Sequence, residues 1–327
     1  MASAKQIKAL LKSHMAGDDE HFYAVAMQLA AHEAKLGHGK LAQELRTLVD
    51  EAKAKRKIAS AATKPTPIGQ PRGELANLLE VTYPKTRIGH MILGDTIANQ
   101  LTRIIKEQHH FAKIRSHGLS PRRKLLLVGP PGTGKTMMAS ALAGELGVPL
   151  FQVRLDTLIT KYMGETAAKL RIVFDTISEV RGIYFFDEFD AIGSQRGMMN
   201  DVGEIRRILN SFLQMIEQDD SNNLIIAATN HPEILDYALF RRFDDIIDFK
   251  LPTPEQIIAL VQSKLTGLTT NRIDWKLISQ KAEGLSYAEV SRASEEAIKD
   301  AIIYDRKFIS EQELIHPLEE RKAIRTK

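Results

Sequence analysis

Apolar positions recur with helical spacing over the first fifty residues. Ile7, Leu10 and Leu11 make one face, Phe22, Val25, Ala26, Leu29 and Ala30 a second, and Leu41, Leu45, Leu48 and Val49 a third. Gly17-Asp18 and Gly37-His38-Gly39 interrupt them, so the pattern predicts a small helical unit over residues 1–56. A unit that short is marginal alone and is expected to dock on a partner or another subunit. Residues 57–73 hold Pro65, Pro67 and Pro71, which exclude a continuous helix and predict a linker. From 74 to 250 the period changes. Leu125–Val128, Phe151–Val153, Ile183–Phe186, Leu224–Ala227 and Ile246–Phe249 are short apolar runs, most of them separated by helical patterns. That alternation predicts a parallel five-stranded sheet covered on both faces, an α/β fold. After Pro252-Thr253-Pro254 the runs stop, and residues 251–327 read as a third, wholly helical unit.

Composition changes this picture little. Of 327 residues, 43% are hydrophobic and 26% charged, which is ordinary for a globular chain and excludes wholesale disorder. No cysteine is present, which rules out disulfides, thiol nucleophiles and cysteine-ligated zinc. No apolar run reaches the length of a membrane span, and the first residues lack the apolar core of a secretory signal; no membrane association is expected, and the expected location is cytoplasmic. Charge matters by position. Residues 1–72 hold 12 basic and 7 acidic side chains, leaving 33 and 34 for the remainder. The net charge of +4 therefore belongs to the first segment, whose Lys53, Lys55, Arg56 and Lys57 read either as a solvated helix end or as a contact for nucleic acid, an acidic protein or a membrane surface.

The chemistry concentrates at the ends of the apolar runs. Gly129-Pro130-Pro131-Gly132-Thr133-Gly134-Lys135-Thr136 matches G-x-x-x-x-G-K-[ST], follows a strand pattern and precedes a helical one that opens with Met137. Backbone N–H groups of such a loop close around phosphate oxygens, aided by the helix N-terminus. Lys135 can reach the β- and γ-phosphates of ATP, and the Thr136 hydroxyl can ligate Mg²⁺. A second run delivers Asp187 and Glu188, the first for the Mg²⁺ shell and the second to orient or deprotonate the attacking water. Asn230 ends a third run, where it could position that water or sense the γ-phosphate, or simply close a turn. The chain is thus read as a P-loop nucleoside triphosphatase. Its histidines do not make a metalloprotease: His32-Glu33 and His38 miss the H-E-x-x-H spacing.

With these motifs the chain resembles the AAA family of ATPases over about residues 75–325. Asp187-Glu-Phe-Asp190-Ala-Ile-Gly-Ser-Gln-Arg196-Gly resembles the extended Walker B segment of that family, Leu158-Ile-Thr-Lys161-Tyr162-Met163-Gly164-Glu165 its central pore loop, and Leu235 through Asp244 the end of its second homology region. The resemblance implies a large α/β subdomain, a small helical lid, and a homo-oligomeric ring, usually a hexamer, with ATP between neighbours. It places Asn230 at sensor 1 and Arg241 and Arg242 at the arginine fingers that act on a neighbour's γ-phosphate. The adjacent Arg-Arg-Phe is similar to the clade of katanin and the ESCRT-disassembling ATPase. Read without the motif, the same pair is a surface feature bridging to Asp244 or Asp245. Tyr162, flanked by Lys161 and Met163, falls on the aromatic that contacts a threaded polypeptide. Two departures stand out. Gly284-Leu-Ser286-Tyr287-Ala288-Glu289 resembles the lid segment Gly-x-Ser-Gly-Ala-Asp, with Tyr287 for the second glycine and Glu289 for the aspartate. No arginine occupies the sensor-2 place of other clades, and Arg292, one helical turn on, is the candidate for it; the adenine segment falls near Leu93-Gly94-Asp95. The expected function is an ATP-driven motor that remodels or threads a protein substrate. The alternatives are a nucleic-acid-stimulated ATPase or loader, and a nucleotide-switched partner of a separate protease or effector.

Overall fold

The computed structural model describes residues 26, 27, 30, 43, 47, 73–158, 163–192, 202–235, 237–266, 269–270, 273–306 and 308–325. The chain divides into two compact units, Met1–Thr66 and Pro67–Lys327. Of the first, the described residues are helical, and Ala26 and Ala30 are buried one turn apart. The basic run at 53–57 and the linker prolines lie outside the described residues.

The second unit is built on a six-stranded sheet in the order β1-β3-β4-β5-β2-β6. The strands are β1 Leu79–Thr82, β2 Lys124–Val128, β3 Leu150–Val153, β4 Ile183–Phe186, β5 Leu224–Thr229 and β6 Asp245–Asp248. Five pair in parallel; β1 lies antiparallel along β3, with Leu79 opposite Val153. The expected five-stranded sheet is therefore corrected to six. β1 is a half-exposed edge strand, so Leu-Glu-Val-Thr shows none of the continuous apolar run that marks a strand buried on both faces.

The central strands are buried throughout, and alternate residues feed two cores. Leu126, Phe151, Tyr184 and Phe186 face helices α3 (Met163–Glu179) and α4 (Val202–Gln218). There Phe151 stacks on Tyr184 at 4.7 Å and Phe186 meets the edge of Phe212 at 5.1 Å. Leu125, Leu127, Phe185 and Ile226 face α1 (Asp95–His109) and α2 (Lys135–Leu146). Because β4, β5 and β2 are neighbours, their carboxyl ends place three loops side by side, the usual position for a ligand on such a sheet.

The last part of the unit is a helical bundle of α5 (Pro254–Lys264), α6 (Trp275–Ala282), α7 (Tyr287–Ile303) and α8 (Glu311–Arg325) with its own core, including Ile257, Val261, Ile278, Leu285 and Val290. Thr253, Asp274 and Ser286 cap the first three helices through their side chains. The bundle is not wholly helical as expected: β7 Thr269–Thr270 pairs in parallel with β8 Phe308–Ile309. Two residues per strand are too few to leave a period in the sequence.

Candidate functional site

β2 ends at Val128 and the chain turns through Gly129 to Gly134 into α2. All three glycines of this turn take positive φ, and at two of them a Cβ would also collide with its surroundings. Gly129 has φ +141°, and a Cβ there would stand 2.1 Å from the Phe249 carbonyl oxygen. Gly132 has φ +75°, and a Cβ there would meet Ser286 Oγ at 2.7 Å. The Thr133 hydroxyl donates to the Pro130 carbonyl and closes the loop on itself at 2.8 Å.

Lys135 opens α2 almost fully buried. Its ammonium donates to the Gly129 carbonyl at 2.7 Å, the Pro130 carbonyl at 2.9 Å and Asn230 Oδ1 at 2.7 Å. Burial lowers its pKa, and the charges of Asp187 and Asp190 oppose that shift. A phosphate oxygen entering the loop would compete for the same three protons and restore the charge balance. Next to it the Thr136 hydroxyl donates to Asp187 Oδ2 at 2.8 Å. These are two hard oxygen ligands side by side, suited to Mg²⁺, which takes few protein ligands and completes its shell with phosphate and water. Among the described residues no cluster of three or more His, Asp or Glu could hold a metal by itself.

Glu188 follows at φ +50°, a conformation uncommon for a residue with a Cβ, and its side chain is exposed. Its N–H donates to Asp187 Oδ1 at 3.0 Å. Asp190 is buried, and one of its oxygens accepts from the Thr229 hydroxyl at 2.9 Å and the Asn230 N–H at 3.3 Å. In the sequence Asp190 stands out only as part of a motif; the structure makes it the residue that fixes the end of β5 and so aims Asn230 at Lys135. Its signal in the sequence was a carboxylate three residues after Asp187, on a turn that must fold back beneath the site.

A cavity of about 470 Å³ joins these groups. Pro131 through Met137, Asp187, Glu188 and Asn230 line one part. The rest is lined by His90–Leu93 and by Leu260, Ser263, Lys264, Tyr287, Ala288 and Ser291 of the bundle. The segment His90–Leu93 joins two cores: Met91 and Leu93 pack on the sheet's, Ile92 on the bundle's. Of the segment expected near adenine, Leu93 lines the cavity and Gly94 and Asp95 do not. Three consecutive apolar residues, Met91-Ile92-Leu93, were the available signal. The bundle is tied to the loop where the Ala288 N–H donates to the Gly132 carbonyl at 3.0 Å. A larger cavity of about 580 Å³ lies between α3 and α4 beside Arg171, Asp175 and Met215, without a phosphate loop, so chemistry and not size identifies the site.

Gly129 and Pro130 do not line the cavity and meet Lys135 through their carbonyls. Arg241 and Arg242 are exposed and line no part of the cavity. Arg242 pairs with Glu217 rather than with Asp244 or Asp245. Asp244 instead accepts from the Arg123 and Lys124 N–H groups at the start of β2, and Asp245 meets Arg122 at 3.4 Å. Arg292 is exposed and does not reach the cavity, whereas its neighbour Ser291 does. Lys161 and Tyr162 lie outside the described residues, as does the side chain of Met163, whose backbone opens α3. Among the described residues no helix is long and apolar enough to cross a membrane.

Residues 125–251 match the model of the ATPase family associated with various cellular activities (AAA). The chain is 36% identical over 325 residues to the AAA family ATPase y4kL of Sinorhizobium fredii, covering 99% of this chain and 97% of that protein. It is 34% identical over 223 residues to the proteasome-activating nucleotidase of Thermococcus onnurineus, covering 66% of this chain and 55% of the nucleotidase. It is 36% identical over 239 residues to the ATP-dependent zinc metalloprotease FtsH 1 of Methylacidiphilum infernorum, covering 70% of this chain and 37% of the metalloprotease. The chain therefore spans nearly all of the first relative, about half of the second and little more than a third of the third.

Proposed function

The chain belongs to the AAA family of ATPases and hydrolyses ATP; we propose that it does so as a hexameric ring that threads or remodels a polypeptide through its centre. The observation that carries this reading is the position of the arginine pair. Within the cavity the lysines are Lys135 and Lys264, and Lys264 is paired with Glu295 at 2.6 Å. Cleaving a γ-phosphate calls for more positive charge at the developing transition state. Arg241 and Arg242 are exposed and line no part of their own chain's cavity, and Arg242 is held by the surface Glu217, which suits delivery to a neighbour's site. A finger of that kind contributes about 10³–10⁵ in rate.

Within one subunit Lys135 exchanges loop carbonyls for β- and γ-phosphate oxygens. Glu188 takes the proton of the attacking water, and Asn230, held by Asp190, orients the γ-phosphate or that water. Thr136 and Asp187 would hold Mg²⁺, which when bound would supply positive charge to the phosphates. Tyr162, with Lys161 and Met163 beside it, grips the chain by non-directional apolar contact, which tolerates unlike sequences. The helical unit of residues 1–56 selects the substrate. A second reading, a nucleotide-controlled partner of a separately encoded protease or effector, draws support from the relatives named proteasome-activating nucleotidase.

Subunit mixing tests the ring. Arg241→Ala keeps its own site but lends no finger; Glu188→Gln lends a finger but cannot turn over. Each alone should be inactive, and a co-assembled mixture should recover ATPase activity. A mixture as silent as its parts would place the arginine's action within its own chain. For the substrate, the ATPase rate is measured with an unfolded polypeptide or duplex DNA. Stimulation by polypeptide, lost in Tyr162→Ala, is expected. Stimulation by DNA alone, indifferent to Tyr162 and falling steeply with salt, would overturn the threading reading.

A further inference from the structure

The helical bundle puts into the cavity an aromatic residue that phosphate chemistry does not use. Tyr287 is the first residue of α7, half-buried, and lines the cavity beside Ala288. In the segment that this region resembles the position is glycine, so the ring is an addition and not part of the common machinery. Its hydroxyl is already committed. It stands 2.8 Å from Gln256 Oε1, which also accepts from the Thr253 N–H at 2.9 Å, outside the cavity lining. The phenol proton therefore goes to Gln256, and what the residue offers a ligand is the ring itself.

The surroundings agree with a flat, uncharged ligand group. Ile92 and Leu260 line the same cavity; Leu260 belongs to the bundle's core, and Ile92, like Tyr287, packs against it. The ring is also placed accurately with respect to the phosphates. Ser286 caps α7 one residue before it, and the Ala288 N–H one residue after it is bonded to the Gly132 carbonyl of the phosphate loop. A ligand with a triphosphate at Lys135 and a π-face some atoms away fits both features.

We propose that Tyr287 is a specificity residue of the ATPase site that stacks on the purine ring, so that the base is read by the bundle while the triphosphate is read by the loop. The inference rests on the assignment of this cavity as the nucleotide site. Lys135→Ala reports on that assignment separately, because it should lose every phosphate ligand.

The test is calorimetric titration of the full chain with ATP and with inorganic tripolyphosphate, both with Mg²⁺. Base–aromatic stacking of the usual strength predicts that Tyr287→Ala weakens ATP binding by about tenfold or more. Tripolyphosphate, which has no base, should bind Tyr287→Ala as it binds the wild type, and that retained binding also shows the variant folded. Tyr287→Phe keeps the ring and should hold ATP within about twofold of wild type. Equal losses for both ligands in Tyr287→Ala would overturn the proposal, since the residue would then act through the Gly132 contact. So would no loss at all, or a Tyr287→Phe variant as weak as Tyr287→Ala, which would make the bond to Gln256 the operative feature.

Discussion

Around Lys135 the polar atoms are bound to one another: three acceptors on its ammonium, Thr136 on Asp187, Thr229 and Asn230 on Asp190. A few residues away in the same cavity, Ile92 and Leu260 present apolar surface, and the Tyr287 hydroxyl is bonded to Gln256. The contrast follows from what each end must hold. A triphosphate carries fixed charge at fixed spacing. It demands donors whose positions are set by backbone and by buried hydrogen bonds, because an unpaired charged group there would be costly. A purine is flat and uncharged, and many apolar side chains can hold it. The first end tolerates little change in sequence. The second can be rebuilt with whatever side chains the bundle presents.

The largest effect that would break this contrast is expected at the joint between the two ends. Gly132→Ala forces a Cβ into φ +75° and against Ser286 Oγ and the Ala288 methyl group at 2.7 and 3.1 Å. The backbone term alone is roughly 1–2 kcal/mol, which corresponds to about a five- to thirtyfold loss of affinity if the loop must distort to bind. The loss should fall on ATP and tripolyphosphate alike, because the phosphate loop itself is deformed. Measured dissociation constants that weaken for ATP alone would mean that Gly132 serves the base end, and the division drawn between the two regions would fail.

The same contrast explains what was legible in the sequence. Gly129 to Thr136, Asp187, Glu188 and Asn230 stand where runs of buried apolar residues stop, and charge placed at a strand end is visible in a one-dimensional pattern. The geometry of β2, β4 and β5 then brings those three strand ends together. What escaped has a weaker linear trace. β1 has one exposed face and only four residues, so its alternation is brief. The His90–Leu93 segment is a joint whose meaning lies in which core each side chain enters. The service of Asp190 to Asn230 joins positions forty residues apart through one carboxylate oxygen. Tyr287 was visible only as a departure from an expected glycine; its ring's place beside the phosphate loop depends on how the bundle docks.

The smallest effect sharpens the comparison from the bundle side. Ser286 is buried, and its Oγ both accepts from the Glu289 N–H at 3.4 Å and lies 2.6 Å from Glu289 Oε2. Ser286→Ala removes that cap while leaving the Glu289 carboxylate its bond from the Ser286 N–H at 2.7 Å. Loss of an N-cap costs about 1 kcal/mol. Hydrogen exchange at the first amides of α7 should quicken accordingly, since that turn is what the cap holds. The same figure sets a ceiling of less than about tenfold on any loss of nucleotide affinity. Because the first turn carries Tyr287, the loss should appear for ATP and be nearly absent for tripolyphosphate. If tripolyphosphate weakened equally, the cap would be acting through the Ala288–Gly132 bond on the loop. The start of α7 would then belong to the phosphate end of the site rather than to the base end.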